Sequence, residues 1–222
     1  MEGKIKLPGK AITPLEWTMP PIRIAQEGGW TVFEGEMQLK VSPKYASGKL
    51  TKELCISDHI AKYVKPSDIV EITDDYLMVI NGITKFKLHE DKCTPLSPPR
   101  FEPYAVATLS KYQFDSLVEK LARIRPTWVM VSVDGGKIAL EAARFEEKAE
   151  AAIPATVKVP LEPTYVEFSL FKAVKSVPLA SRVEIAVGGE PVKMEAAGEI
   201  KYKASAVQIR AIGDVEYVAW KI

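Results

Sequence analysis

The side chains that most often carry catalysis are scarce in this sequence of 222 residues. A nucleophile with its base, a pair of acids or a set of metal ligands each needs several such residues at a suitable spacing. The two histidines, His59 and His89, have no such neighbours, and we expect both at the surface. Asp74 and Asp75 stand between two predicted strands, where turn formation explains them better than a metal does. We therefore predict a protein that is not an enzyme and that uses no metal or cofactor.

Two other features that could bind ligands are also weak. The glycine-containing turns at 134–136 and 188–190 each join strand to strand, whereas a phosphate loop ends at a helix N-terminus. Cys55 and Cys93 are far apart and show no zinc-site spacing, so we expect two buried thiols rather than a disulfide framework.

Basic side chains give a clearer pattern. Each predicted helix carries two of them at i, i+3 spacing in its C-terminal half, so both lie on one face. Cations there also favour the helix dipole by about 0.3–1 kcal/mol, which explains one pair more easily than three. The other interpretation is a face that meets phosphates through sequence-independent electrostatics. The six residues are Lys62, Lys65, Lys120, Arg123, Lys172 and Lys175.

The composition limits the class of protein. Apolar residues make up 47% of the chain and charged residues 27%, and the formal net charge is +1, so any nucleic-acid surface must be local. No apolar run approaches the roughly 20 residues that span a bilayer, and residues 1–6 lack the apolar core of a signal peptide. We expect a cytoplasmic protein without membrane contact. The abundance of Lys, Arg and Glu, with a single asparagine, favours a thermophilic source.

One supersecondary unit recurs along the chain. Its first clear copy predicts a helix over 57–64 and strands over 69–73, 76–80 and 83–88. A second copy predicts a helix from 110 to 125 and strands over 128–133, 137–142 and 148–153. A third runs from 169 to 206 in the same order. Spacings of roughly 50 to 60 residues indicate a duplicated architecture.

An earlier, incomplete copy stands at 22–41, where the strands are present but the helix is not. Pro14, Pro20 and Pro21 crowd the span where that helix belongs, so we expect it to be reduced or absent. The proline-rich segment 93–103 is predicted to be an extended connector. The predicted organisation is an N-terminal domain 1–92, the connector 93–103 and a C-terminal domain 104–222, each domain α+β with antiparallel sheets and helices on one face.

This layout resembles the DNA polymerase sliding clamps of the proliferating cell nuclear antigen family, in particular its archaeal members. The similarity is strongest in 168–209, through 176–185 and 198–202, and continues in 107–124, which resembles the opening of the family's second domain. Three features depart from the family pattern, and the first is the reduced first helix. Ser205-Ala206-Val207 replaces Ala-Pro-Lys near the end, and an added segment, Ile209 to Ile222, follows that alternates like a strand and could join a sheet edge or cover a pocket.

The resemblance implies a ring, homotrimeric or heterotrimeric, whose helices face duplex DNA. Lys62 and Lys175 coincide with positions that resemble DNA-facing lysines, whereas Ser116 and Glu119 replace basic ones. It also implies an apolar pocket for short peptides of partner proteins, beside the connector and the C-terminal strand. Candidates for that pocket are Leu96, Pro98, Pro99, Phe101, Ala206, Val207 and Ile209.

Two functions follow from the resemblance. The first is a processivity factor that encircles duplex DNA, is loaded by a clamp loader and tethers polymerase and other replication or repair enzymes, in the cytoplasm or at the nucleoid. The alternative is a clamp-like interaction module, or an accessory ring subunit, with reduced or absent DNA encirclement. The reduced first helix motivates this second interpretation.

Overall fold

The chain is organised as two compact units, each assembled from more than one stretch of sequence. The structure, a computed structural model, describes residues 3–92, 94, 102–193 and 200–221. The first unit comprises Met1–Pro98, Ser176–Ala180 and Ile212–Val218, and the second comprises Pro99–Lys175, Ser181–Ala211 and Ala219–Ile222. Both consist mainly of strands with a few short helices, which confirms the predicted α+β class. The domain boundaries at 93 and 103 stay a prediction.

The first unit holds two antiparallel arrays of strands. One has the order β5-β1-β7-β8-β9, and in the other β4, β3, β2 and β6 are successive neighbours. Alternate apolar side chains are buried, as expected for strands with one face on a core; Ile22 and Ile24 of β2 and Val70 and Ile72 of β7 are fully covered. The strands are β1 (Lys4–Pro8), β2 (Ile22–Glu27), β3 (Trp30–Glu34), β4 (Gln38–Val41), β5 (Ser47–Lys49), β6 (Leu54–Ile56), β7 (Ile69–Thr73), β8 (Tyr76–Asn81) and β9 (Thr84–His89).

Short 3-10 helices take the place of α-helices in this unit. The segment Gly9–Trp17 forms one of them, with Pro14 inside it, so the expectation of a reduced first helix is confirmed. Buried Ile12 and Leu15 attach it to the core. Proline removes a backbone donor, which an α-helix tolerates poorly and a short 3-10 segment tolerates better.

The prediction of an α-helix over 57–64 is wrong. Only Ile60–Lys62 are helical, again as a 3-10 helix, and the cap residue His59 makes no side-chain capping hydrogen bond. The Ser57 hydroxyl donates to the carboxylate of Asp91, a residue far along the chain, at 2.6 Å. The apolar spacing of Ile56, Ile60 and Val64 does not mark an α-helix. It belongs to a short turn in which Ile60 is fully buried.

The second unit contains the two α-helices of the described chain, α1 (Lys111–Ala122) and α2 (Phe168–Lys175). Its strands β13, β12, β11 and β15 are successive neighbours, while β10 pairs with β14 and β16, and β16 pairs with β17. The predicted strands at 128–133, 137–142 and 148–153 are confirmed within a residue or two. The strands are β10 (Pro103–Ser110), β11 (Trp128–Asp134), β12 (Lys137–Arg144), β13 (Glu147–Pro154), β14 (Thr156–Val157), β15 (Leu161–Glu167), β16 (Ala180–Lys193) and β17 (Ile200–Gly213).

A complete N-cap starts α1. The Ser110 hydroxyl accepts from the backbone N–H of Gln113 at 3.2 Å, and the Gln113 side chain accepts from the backbone N–H of Ser110 at 2.9 Å, which forms a capping box. Phe114 of α1 stacks against Phe171 of α2 with ring centroids 6.3 Å apart. These contacts explain why the predicted helices of the second half are retained.

The last strand, β18 (Val215–Lys221), adds to an edge of the first unit. It runs antiparallel to β4, with Val215 opposite Val41 and Tyr217 opposite Leu39. Val215 and Tyr217 are fully buried there. Of the two sequence interpretations of this segment, addition to a sheet edge is confirmed. Ile209 lies within β17, so the added segment begins only after Gly213.

Candidate nucleic-acid and partner interface

Three exposed lysines lie in or just after the two 3-10 helices of the first unit: Lys10, Lys62 and Lys65. The backbone brings their segments together, since the N–H of Gly9 donates to Asp68 O at 2.7 Å and that of Lys10 donates to Pro66 O at 3.1 Å. Within the described ranges, none of the three side chains forms a salt bridge. The first unit thus keeps a basic surface although its helices are short.

The close approach of these segments depends on Gly9. A Cβ added there would lie 2.2 Å from the carbonyl oxygen of Lys65, far inside van der Waals contact. No other residue fits without moving that backbone. Sequence reasoning missed Lys10, because the proline-crowded span around it predicted no helix; its basic charge beside a glycine was the available signal.

The α-helices of the second unit carry the other predicted basic residues. Lys120 on α1 and Arg123 just after it are exposed, and Lys172 is exposed with its Nζ 5.2 Å from the centroid of the Phe168 ring. Lys175 is different, because its Nζ lies 2.9 Å from Oε1 of Glu119. That hydrogen bond, with the charges of Lys175 and Arg123, lowers the pKa of Glu119. Part of the positive charge here is therefore balanced by Glu119.

Lys111 has a structural partner set. Its Nζ lies 2.7 Å from both carboxylate oxygens of Asp115 and donates to the carbonyl oxygen of Lys175 at 2.9 Å. The ammonium group thereby satisfies a carbonyl at the C-terminus of α2 and joins the two helices. Its side chain is only 15% exposed, so it is poorly available to an outside ligand.

The structure describes only some of the residues of the predicted peptide pocket. Leu96, Pro98, Pro99 and Phe101 lie outside the described residues. Val207 and Ile209 are buried in β17, with exposures of 1% and 0%, and Ala206, which precedes Val207, is half-buried. The partner-binding role of all seven residues stays a prediction.

Clefts open on the described surface of both units. One, of about 510 Å³, lies in the first unit beside Arg23, Cys55 and Asp91. Another, of about 500 Å³, runs between α1 and β13 in the second unit and is lined mainly by small and apolar side chains, including Ala151 and Ile153. Tyr112 on its rim is 82% exposed, an unusual position for a large aromatic side chain.

The residues considered for catalysis serve the fold. Asp74 accepts hydrogen bonds from the backbone N–H and hydroxyl of Thr51, and these lower its pKa. Among the described residues no cluster of three or more His, Cys, Asp or Glu is placed to hold a metal ion.

Cys55 is disulfide-bonded and half-buried, so the expectation of a buried thiol is wrong there. No helix in the described ranges is long and apolar enough to cross a membrane.

Solved structures of sliding clamps share this fold. The chain matches the PCNA2–PCNA3 complex of Sulfolobus tokodaii with a TM-score of 0.67 and 12% identity over 97% of both chains. It matches A. fulgidus PCNA, solved with the C-terminal region of FEN-1 bound, with a TM-score of 0.66 and 15% identity over 99% of this chain and 98% of that one.

The bacterial clamp is also similar. The DNA polymerase III subunit beta of Pseudomonas aeruginosa gives a TM-score of 0.61 and 11% identity, over 97% of this chain and 65% of that chain. No family model matches the sequence, and no curated protein matches it. The chain therefore has the sliding clamp fold, as the sequence resemblance predicted.

Proposed function

We propose that this protein is a non-enzymatic sliding clamp, a ring that encircles duplex DNA and tethers polymerase and other replication or repair enzymes to it. The observation that carries the proposal is the pairing of β18 with β4 in a chain of clamp fold. Closed rings arise when one subunit presents two different, complementary edges. The pairing of β4 with β18 within this chain indicates which strand edges could form such a contact between subunits.

The pattern follows from the repeat. The run β2-β3-β4 corresponds to β11-β12-β13, and β7-β8-β9 corresponds to β16-β17-β18. Within one chain β4 pairs with β18, but their counterparts β13 and β9 each have one strand neighbour among the described residues. An unpaired edge strand is a template for another chain. We propose that β9 of one subunit pairs with β13 of the next, in a ring of three.

The edges at β9 and β13 carry charges that are mainly of opposite sign. β9 presents exposed Lys85 and Lys87 without a carboxylate of its own, and β13 carries Glu147 and Glu150. Lys148 of β13 is already bound to Glu141 at 2.8 Å, so it offsets little of that negative charge. Opposite charges across an interface favour the correct pairing. These charges would allow copies of this chain to pair with one another in a homotrimer. A heterotrimer with related subunits is the other form of the proposal.

DNA contact is proposed for the basic residues of both helical layers. Lysine and arginine neutralise phosphates without reading bases, which suits a ring that must slide. Lys10, Lys62 and Lys65 would act from the first unit, and Lys120, Arg123, Lys172 and Lys175 from the second. Partner proteins would bind at the connector, through Leu96, Pro98, Pro99 and Phe101 together with Ala206, Val207 and Ile209.

The proposal also includes a clamp loader and a cellular location. A clamp loader would place the ring on DNA, in the cytoplasm or at the nucleoid of a thermophilic archaeon. The alternative, a clamp-like interaction module with weak DNA encirclement, draws support from the short 3-10 helices of the first unit and from the Lys175–Glu119 pair.

Retention on circular DNA separates the two functions. A ring loaded on a nicked plasmid with a clamp loader and ATP should stay through gel filtration, and should be lost when the plasmid is linearised. Replacing Lys10, Lys62 and Lys65 by Ala should reduce retention, while Lys49→Ala, which changes an exposed lysine on β5, should not. Equal loss from circular and linear DNA would reject encirclement and favour the interaction module.

A further inference from the structure

An exposed aromatic side chain stands at the open edge of the first unit, on β9. Phe86 is 41% exposed, although it lies on the same side of β9 as Leu88, which is only 3% exposed. The Phe86 ring stacks on the ring of Tyr63, with centroids 4.0 Å apart and an angle of 13° between the ring planes. The core side of this sheet therefore ends in an aromatic ring that its own unit leaves partly uncovered.

A cleft of about 500 Å³ lies beside the other open edge, β13. Alternate residues of this strand line the cleft, namely Ala149, Ala151 and Ile153, and Leu117 of α1 lines it as well. Ile153 is buried, so these alternate positions belong to the core side of β13. Two of the three are alanines, which leave space that a larger side chain could fill. The core side of β13 thus also ends without complete cover.

Pairing of β9 with β13 would bring these two features to the same face of one sheet. Side chains alternate between the two faces of a sheet, and a slip of one residue exchanges the faces. If Lys85 and Lys87 share the outer face with Glu150, then Phe86 shares the inner face with Ala151. The arrangement that brings opposite charges together therefore also places the aromatic ring on the side of the cleft.

We infer that Phe86 of one subunit enters the cleft between α1 and β13 of the next subunit, with Tyr63 packed behind it. The inference rests on the proposed function, because the occupant is a second copy of this chain. It adds an apolar contact to the pairing of the two strand edges. An aromatic side chain that fills a desolvated pocket often dominates the free energy of association. Because the two surfaces differ and lie on different units, the contact can repeat around a ring.

Other occupants fit the cleft less well. A nucleic acid needs cations, but among the described residues that line the cleft Lys120 is the one basic side chain, and Glu150 opposes it. A peptide from a partner protein would fill the cleft and leave Phe86 exposed on the other edge. A second copy of the chain covers both apolar surfaces at once, which favours it as the occupant.

Two variants that each change one side of the contact test the inference. Phe86→Asp removes the aromatic ring and keeps the cleft, whereas Ala151→Trp fills the cleft and keeps Phe86. Light scattering should give the mass of one chain for each variant alone. An equal mixture should form a dimer, because one intact ring and one intact cleft remain. A dimer in the mixture also shows that both variants are folded.

Two outcomes of this experiment would overturn the inference. One is that Phe86→Asp alone assembles to the same mass as the parent chain. The other is that the mixture stays monomeric although both variants keep the circular dichroism spectrum of the parent. In the second case the two surfaces do not meet, and the cleft has a different occupant.

A milder change gives the size of the effect. Phe86→Ala should raise the dissociation constant of the assembly about 30-fold or more, as expected for a central aromatic contact. A dilution series followed by light scattering measures it. Tyr165→Ala is the matched control, because Tyr165 on β15 is 60% exposed and does not line the cleft. Equal weakening by the two changes would contradict a specific role of Phe86.

The contact and the clamp function can fail separately. If Phe86→Asp assembles and is retained on circular DNA as well as the parent, the function stands and the contact falls. If the two variants and their mixture behave as expected but the parent is not retained on circular DNA, the contact stands and encirclement falls. A parent chain that stays monomeric at every concentration overturns the contact between copies.

Discussion

Nζ of Lys175 on α2 forms a salt bridge at 2.9 Å with Oε1 of Glu119 on α1. The pair joins the two helices of the second unit and takes one cation away from the surface that we propose to face DNA. Among the proposed DNA-contact residues, Lys175 is thus held by an acidic neighbour. Glu119 stands where the resemblance leads one to expect a basic residue.

Replacing Glu119 by Gln should strengthen DNA binding. The change removes a negative charge and frees Lys175 for a phosphate, which should steepen the plot of log affinity against log salt by about one unit. Fluorescence anisotropy with a duplex at several salt concentrations measures this slope. Glu146→Gln, on the β12–β13 turn, is the matched control. An unchanged slope for Glu119→Gln would mean that Lys175 does not reach phosphate.

Replacing Gly9 by Ala should destabilise the first unit. The new Cβ would lie 2.2 Å from the carbonyl oxygen of Lys65, so the start of the 3-10 helix must move. Overpacking of this kind costs about 1–3 kcal/mol in the free energy of unfolding, measured by urea denaturation. Lys10→Ala changes an exposed neighbour and should stay within about 0.5 kcal/mol of the parent. Equal stability of the two variants would contradict the close approach.

Tyr217 should hold β18 in place. Its ring is fully buried, and its hydroxyl donates to Sδ of Met37 at 2.6 Å. Tyr217→Ala should cost about 3–5 kcal/mol in the free energy of unfolding, as expected for a buried aromatic side chain. Tyr217→Phe keeps the ring and should cost about 1 kcal/mol. If Tyr217→Ala unfolds no more easily than Tyr217→Phe, the strand contributes little to the core.

The same residue predicts a sensitivity to high pH. Burial raises the pKa of Tyr217 well above its ordinary value, because the charged phenolate is disfavoured inside the protein. The folded state therefore keeps a proton that the unfolded state loses above a pH of about 10. The stability from the neutral side chain is fully present below that pH and falls as the pH rises further. Tyr217→Phe should remove this fall, which alkaline denaturation curves would measure.

Charge reversal at the proposed ring edges should control assembly. Changing Lys85 and Lys87 to Glu makes β9 acidic, so it would face the acidic β13 of a neighbour and the assembly should dissociate. Adding Glu147→Lys and Glu150→Lys in the same chain restores opposite charges. Light scattering measures the mass of each form.

Lys49→Glu on β5 is the matched control for this experiment and should leave the mass unchanged. If the quadruple variant stays dissociated while the control assembles, β9 and β13 do not meet. A parent chain that is monomeric by itself, but assembles with a related subunit, would point to a mixed ring.

The α-helix of the second half could be predicted because its signals are local. Ser110 and Gln113 form their capping box within four residues, and Phe114 and Val118 share the buried face of α1. Local periodicity also predicted an α-helix over 57–64, where only Ile60–Lys62 are helical, as a 3-10 helix. That segment makes long-range contacts, such as the hydrogen bond from the Ser57 hydroxyl to the Asp91 carboxylate, which no sequence pattern shows.

The sequence by itself determined the repeat, the α+β class, the loss of the first helix and the positions of most basic residues. These follow from side-chain periodicity, proline and turn chemistry, which act over a few residues. Only the tertiary structure decided that β18 joins β4, that Glu119 balances Lys175 and that Lys10 lies beside Pro66. Each of these depends on contacts between residues far apart in the chain, whose free energy is gained only when the whole core packs.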